Sequence, residues 1–177
     1  MDMTLNAQRA IDFSADNRCL IDAPAGTLRH TGLVYKNRTA FRGAGIEKTF
    51  LLNTGITADS VKVPYYNDML FFDYWLIEGF TIDCVTPKSV DQSGIHLNTA
   101  RHGVVRDILV KRHFYNIRER SSWSNSFENI HSRDGVYMWQ VDSGQNTGGT
   151  PNYRHNINGD SCTYGLDIKN QGHSATV

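Results

Sequence analysis

The stretch Leu76-Ile-Glu-Gly-Phe-Thr-Ile-Asp83 holds the pattern that decides the fold. In this stretch the apolar residues Ile77 and Phe80 lie three positions apart, and a turn-forming residue, Gly79, comes directly before Phe80. We call this pattern the frame. The frame recurs around Asp107, Asn129 and Asn156, with Arg154 at the first position of the last copy. The steps between these positions all lie in the twenties, and self-similarity at such a period is typical of stacked coils.

The frame also indicates a bend in the chain. Apolar residues three apart do not share one face of a straight strand, because side chains alternate with a period of two. Gly, Asn and Asp are the residues that tolerate left-handed backbone geometry. Each copy therefore predicts a strand, a one-residue corner and a second strand. The content of β-branched, aromatic, Gly and Asn residues argues against a helix.

A second set of alternating strands lies beside the first. They are Ile95–Asn98, Tyr115–Arg118, Val136–Trp139 and Leu166–Lys169, and the steps between them are similar in size to those of the corners. Each coil would then offer three faces around one apolar column. The predicted inward residues are Ile77, Phe80, Ile95, Leu97, Val105, Ile108, Ile117, Phe127, Ile130, Val136, Met138, Ile157, Leu166 and Ile168.

Composition narrows the function classes. The 177 residues carry 18 basic and 18 acidic side chains, so nothing points to nucleic acid as a partner. Cys19, Cys84 and Cys162 lie far apart, which predicts neither zinc nor a disulfide framework. No apolar run indicates a signal peptide or a membrane span. We therefore expect no membrane insertion. Either the chain works inside a cell, or it leaves by a route other than a signal peptide, such as release in a lytic phage particle.

Near the start, Ala10-Ile11-Asp12, Ile21–Thr27 (Ile-Asp-Ala-Pro-Ala-Gly-Thr) and Phe41–Gly45 (Phe-Arg-Gly-Ala-Gly) carry a specific resemblance. They resemble the opening of the pectate-lyase-like superfamily, and more narrowly the bacteriophage tailspike and capsule-depolymerase proteins. Leu28 departs from the pattern, since the family often has an aromatic residue there. The resemblance implies an all-β, right-handed parallel β-helix (a solenoid) with a short N-terminal capping helix. It also implies a homotrimer in a virion or an extracellular setting, acting on bacterial polysaccharide.

The expected organisation is one domain over residues 1–177. A capping helix at 4–15 is followed by opening coils at 19–52, a loop excursion at 53–70 and regular coils at 71–170. The last segment, Gln171–Val177, is short and consists of polar and small residues, so it does not resemble a cap. We therefore expect that the natural polypeptide continues, or that a partner covers this end.

The second set of strands also provides the candidate site, because alternation is expected to place two polar ladders and the rings of Tyr137 and Trp139 on its outer side. Aromatic faces with polar neighbours suit sugar rings, although Trp139 under a loop or in an interface is an alternative. The ladders are His96, Asn116, Tyr137 and Asp167 in one and Asn98, Arg118, Trp139 and Lys169 in the other. All of these except Asp167 are the predicted substrate-binding residues.

The sequence does not select one chemistry. Glycoside hydrolysis needs two carboxyl groups, for which Glu119, Asp142 and Asp167 are the candidates. A polysaccharide lyase needs a base and a positive charge, which His96, Arg118, Tyr137 or Lys169 could supply. A non-catalytic glycan-binding, receptor-binding or structural module is the alternative to both. No cofactor and no metal site is predicted, although calcium held by Asp and Asn at coil corners stays open.

Overall fold

The computed structural model describes residues 1–64, 72–86, 91–142 and 152–169. This part of the chain is mostly β, with one N-terminal helix, α1 (Thr4–Asn17). Numbered β1 to β17 in chain order, the strands are Leu20–Asp22, Gly26–His30, Leu33–Val34, Ala40–Arg42, Thr49–Asn53, Val61–Val63, Phe72–Asp73, Leu76–Glu78, Thr81–Cys84, Ser93–Asn98, Ala100–Arg101, Val104–Lys111, Tyr115–Arg120, Ser126–Arg133, Tyr137–Asp142, Tyr153–Asp160 and Tyr164–Lys169.

Helix α1 packs on the first strands. It buries Ala7, Ile11 and Ser14, and it ends at Arg18, whose φ of 52° is left-handed. The Ser14 hydroxyl donates to the backbone carbonyl of Cys19 and accepts from the backbone N–H of Ala40. The helix thus contacts β1 to β4 at one end of the sheets. This agrees with the capping position that the sequence predicts.

The strands form two large sheets in which every pairing is parallel. The first has nine strands in the order β1-β4-β8-β12-β9-β5-β2, with β14 on β12 and β16 on β14. The second has the order β17-β15-β13-β10-β6-β3, and a small third sheet pairs β11 with β7. Parallel partners need long connections, and here each connection passes through the other large sheet.

The predicted corners are confirmed. Gly79, Asp107, Asn129 and Asn156 all have positive φ, at 72°, 53°, 52° and 52°. Strand β12 pairs with β8 before its corner and with β9 after it, so one bent strand continues two shorter ones. Asn129 donates to Asp107 at 2.9 Å, and Asn156 donates to Asn129 at 2.8 Å. The corner side chains therefore form a hydrogen-bonded column along the outside.

The interior is one apolar column between the sheets. Most residues predicted to point inward are fully buried, from Ile77 and Phe80 through Val105 to Phe127 and Ile130. The exceptions lie in the later coils. Val136, Met138 and Ile157 are only partly buried, and Leu166 and Ile168 are exposed.

The stretch 53–70 differs in part from the predicted excursion. Within it, Val61–Val63 is strand β6, which pairs with β3 and β10. Its Val-Lys-Val alternation buries both valines, so it belongs to the second sheet. Residues 65–70, with Tyr65 and Tyr66, lie outside the described residues. Within the described ranges, no helix has the length and apolar character needed to cross a membrane.

Candidate functional site

The outer side of the six-stranded sheet carries a column of stacked aromatic rings. Tyr115, Tyr137 and Tyr164 are direct partners on β13, β15 and β17. The ring centroids of Tyr115 and Tyr137 are 5.1 Å apart, and those of Tyr137 and Tyr164 are 4.8 Å apart. Interplanar angles of 27° and 23° make both contacts stacked rather than edge-to-face. Their exposure increases along the column, from nearly buried Tyr115 to exposed Tyr164.

A polar column runs beside the tyrosines. Its members are in register on neighbouring strands: His96, Arg118, Gln140 and Asp167. The amide of Gln140 donates to Asp167 at 3.1 Å, and Lys169 forms an ion pair with the same carboxylate at 3.4 Å. The hydrogen bond to Asp167 raises the pKa of Lys169. Asp167 is therefore a paired carboxylate.

His96 is held by a carboxylate that sequence reasoning did not assign. Its Nδ1 lies 2.8 Å from Asp59 Oδ2, and its Nε2 lies 3.3 Å from the amide nitrogen of Asn98. Asp59 also accepts from the backbone N–H of Ser93. Burial alone would raise the pKa of Asp59, but the hydrogen bond and charge of His96 and the Ser93 bonds outweigh it and lower the pKa. The Asp59 carboxylate thus fixes the orientation of the His96 ring through Nδ1, with Nε2 on the opposite side.

Arg118 is a cation of this face that has no anionic partner in the described ranges. Its guanidinium carbon lies 4.8 Å above the Tyr115 ring. Its Nε is buried and has no hydrogen-bond partner among the described residues. A buried N–H donor without an acceptor costs free energy, and the cation–π contact with Tyr115 offsets part of that cost.

A third column follows at the ends of the same strands. Its members in register are Asn98, Arg120, Asp142 and Lys169. Asp142 lies opposite Lys169, and Asp167 lies two residues before Lys169 on β17. Strand spacing and rise thus place the α-carbons of Asp142 and Asp167 about 8 Å apart.

Seven of the predicted site residues therefore share this face, which we name the tyrosine face. They are His96, Asn98, Arg118, Tyr137, Asp142, Asp167 and Lys169. The two ladders were nevertheless predicted in the wrong register, because Arg118 pairs with His96 rather than with Asn98.

The other three predicted residues point into the protein. The predicted solvent exposure of Trp139 is wrong: it is 1% exposed and pairs with Ile117. Glu119 is equally buried, in register with Leu97 and Val141. Asn116 is buried and donates to Ser132 and to the Arg133 carbonyl. The pairing of β13 with β15 skips Asn116 and Met138, so the alternation breaks between Tyr137 and Trp139, and Trp139 turns inward although Tyr137 lies outside.

Glu119 accepts hydrogen bonds from three sides. Trp139 Nε1 donates at 2.6 Å and Arg154 at 2.7 Å, and the Asn152 amide is a third donor. The Arg154 guanidinium also lies over the Trp139 and Phe127 rings. Burial raises the pKa of Glu119, while Arg154 and the other donors act in the opposite direction. This carboxyl group stabilises the interior and is not accessible to a polysaccharide.

Sequence reasoning missed Tyr115, Tyr164, Gln140, Arg120 and Asp59. The spacing of the corners could have indicated the first four. Tyr115, Tyr137 and Tyr164 are separated by the same numbers of residues as the corners Asp107, Asn129 and Asn156. Asp59 had none, because it lies in a loop whose approach to His96 depends on the fold. Within the described ranges, no group of three or more His, Cys, Asp or Glu residues could hold a metal ion.

The comparisons with known proteins give a distant structural likeness. No protein-family model matches the chain, and no curated protein sequence matches it. A crystal structure of a presumed glycosyl hydrolase from Parabacteroides merdae matches with a TM-score of 0.46 and 10% identity, over 93% of this chain and 91% of that chain.

Proposed function

We propose that the chain is a right-handed parallel β-helix that binds and degrades bacterial surface polysaccharide, as tailspike-type proteins do. The all-parallel pairing, the bent strands and the column of corner side chains support the solenoid. Right-handedness is the rule for connections between parallel strands. The resemblance of the opening coils supports the tailspike type.

One observation carries the functional part of the proposal. The register aligns a stack of tyrosine rings with a polar column that contains Arg118. Ring faces offer apolar contact to the C–H side of sugars, and the polar groups can bond hydroxyls. The guanidinium adds a preference for sugars that carry a carboxylate or another anionic substituent.

His96 and Arg118 suit an elimination reaction on such a sugar. Arg118 would hold the uronate carboxylate, and His96 Nε2, oriented by Asp59, would remove the proton on C5. The C4–O bond then breaks, a C4=C5 double bond forms, and water protonates the leaving oxygen. Hydrolysis would use Asp142 and Asp167 instead, the two carboxylates of this face. The pairing of Asp167 with Lys169 and Gln140 disfavours that second route.

Binding without cleavage is the second candidate function. The side chain of His96 is only 12% exposed, and Asn98 contacts its Nε2. These contacts limit the access of a sugar to the base.

The test incubates the protein with capsular and O-antigen polysaccharides. Elimination predicts oligosaccharides that absorb in the ultraviolet and vanish with His96→Ala, whereas hydrolysis predicts products without that absorbance. Binding with no product supports the second candidate. The absence of binding to every polysaccharide would contradict both.

A further inference from the structure

The polar column of the six-stranded sheet continues one strand further toward helix α1. On β6, Lys62 is in register with His96 of β10 on one side and with Val34 of β3 on the other. Val61 and Val63 are fully buried, so alternation directs Lys62 to the outer side of the sheet, where it is exposed. Because described strands pair with β6 on both sides, this exposure is a property of the face itself.

Lys62 has no anionic partner in the described ranges. Its neighbours in register are an apolar side chain and an imidazole, and neither supplies a negative charge. Asp59, the carboxylate of the loop before β6, lies 2.8 Å from His96 and also accepts from the backbone N–H of Ser93. The Lys62 ammonium is therefore available to an anionic group from outside the chain.

The spacing of the two cations in this column is the second observation. Arg118 follows His96 on the next strand, so Lys62 and Arg118 are two strands apart, and their α-carbons are separated by about 10 Å. Beyond Arg118 the column contains the neutral Gln140 and then Asp167. The positive charge of the column is thus confined to the half that is nearer to helix α1.

We propose that Lys62 forms a second anion-binding position and that the face selects glycans whose acidic groups recur about every 10 Å along the chain. This inference rests on the proposed function, because it takes Arg118 as the first anion-binding position. Two strand spacings are close to the length of a disaccharide, so the ligand is a polysaccharide in which every second sugar is acidic. Its chain crosses the strands, and the sugars beyond Arg118 reach the rings of Tyr137 and Tyr164.

The experiment measures affinity by isothermal titration calorimetry at low ionic strength. The probes are purified capsular polysaccharides of known repeating unit, in three classes: acidic on every second sugar, acidic once in a longer repeat, and neutral. Lys62→Met should weaken binding of the first class roughly two- to fivefold, the scale of one exposed ion pair, and should leave the other two classes unchanged. The loss should decrease as salt is added, because salt screens exposed charges.

Two further variants separate the charge of Lys62 from a structural effect. Lys62→Arg keeps the positive charge and should keep the affinity of the wild-type protein. Lys48→Met, at an exposed lysine in the turn before β5 of the other large sheet, is the matched control and should change nothing. Circular dichroism verifies that each variant folds.

The outcomes distinguish this inference from the proposed function. An unchanged affinity of Lys62→Met for the first class, an equal loss for the singly acidic class, or an equal loss in Lys48→Met would overturn the second anion-binding position. If Arg118→Met still weakened binding in those cases, the proposed function would stand. If no acidic polysaccharide bound, or if Arg118→Met also had no effect, both would fall.

Discussion

The indole N–H of Trp139 donates a 2.6 Å hydrogen bond to Glu119 in the interior between the two sheets. The sequence predicts both residues for a polysaccharide site, but both are only 1% exposed. Their bond connects β13 to β15, and the carboxylate also pairs with Arg154 on β16. Both residues therefore stabilise the last described coils and do not form part of the surface.

Glu119→Ala is therefore expected to lower the free energy of unfolding by about 3–5 kcal/mol, because it leaves the Arg154 guanidinium buried without its partner. Chemical denaturation measures the change. Trp139→Phe, which loses one hydrogen bond to a charged group, should cost about 1.5–3 kcal/mol and keep polysaccharide affinity in the folded protein. If folded Trp139→Phe bound polysaccharide more weakly, this would contradict the purely structural role of Trp139.

The corner column predicts a second effect on stability. Asn129→Ala should destabilise the protein by about 2–3 kcal/mol, because alanine tolerates a φ of 52° poorly and two side-chain hydrogen bonds are lost. Asn129→Gly removes the same hydrogen bonds but tolerates the backbone, so it should cost less than Asn129→Ala. Equal losses in the two variants would show that left-handed geometry at this corner contributes nothing.

Two buried histidines predict a loss of stability in acid. Burial lowers the pKa of His30 and of His113 from the ordinary 6.5 to about 4. The unfolded chain takes up protons near pH 6.5 while the folded chain does not, so stability is complete above that pH and falls as the pH drops toward 4. Each histidine contributes about 3 kcal/mol to this loss.

Denaturant titrations at several pH values between neutral and about 4 measure the slope of the free energy of unfolding against pH. His113→Gln should flatten it, and the exposed His131→Gln should leave it unchanged. Carboxylates with lowered pKa values, such as Asp59 and Asp73, act in a separate window below their ordinary pKa of 3.8. A flat profile from the ordinary histidine pKa down to about pH 4.5 would contradict the burial of neutral histidines.

The tyrosine stack predicts a graded loss of glycan affinity. Tyr137 lies at the centre of the stack, and Tyr137→Ala removes ring contacts with both Tyr115 and Tyr164. We expect its affinity for a bound polysaccharide to fall roughly tenfold, from lost apolar contact. Isothermal titration calorimetry measures it, and Tyr153→Ala, an exposed tyrosine of the other sheet, is the control. Equal effects of the two variants would count against the tyrosine face.

More of the fold than of the site could be predicted from the sequence, because the corners restrict residue type whereas the site depends on how the strands pair. A corner needs a particular backbone geometry, so Gly79, Asp107, Asn129 and Asn156 are restricted to residue types that tolerate it. The strand Val136-Tyr-Met-Trp gives no sign of a break in its alternation, and only the pairing with β13, which skips Met138, places Tyr137 outside and Trp139 inside. From the second corner on, the strands of the second sheet align at positions whose spacing follows the corners, namely Tyr115, Tyr137 and Tyr164.

We propose that the tyrosine face binds an anionic polysaccharide through Arg118. The most direct measurement compares the affinities of the wild-type protein and Arg118→Met for a bound acidic polysaccharide and for its carboxyl-reduced form. The control is Arg133→Met, on the other large sheet. We predict that Arg118→Met weakens binding of the acidic form by roughly ten- to a hundredfold, and that of the reduced form little. Unchanged affinity of folded Arg118→Met for the acidic form, or an equal loss in Arg133→Met, would contradict the account.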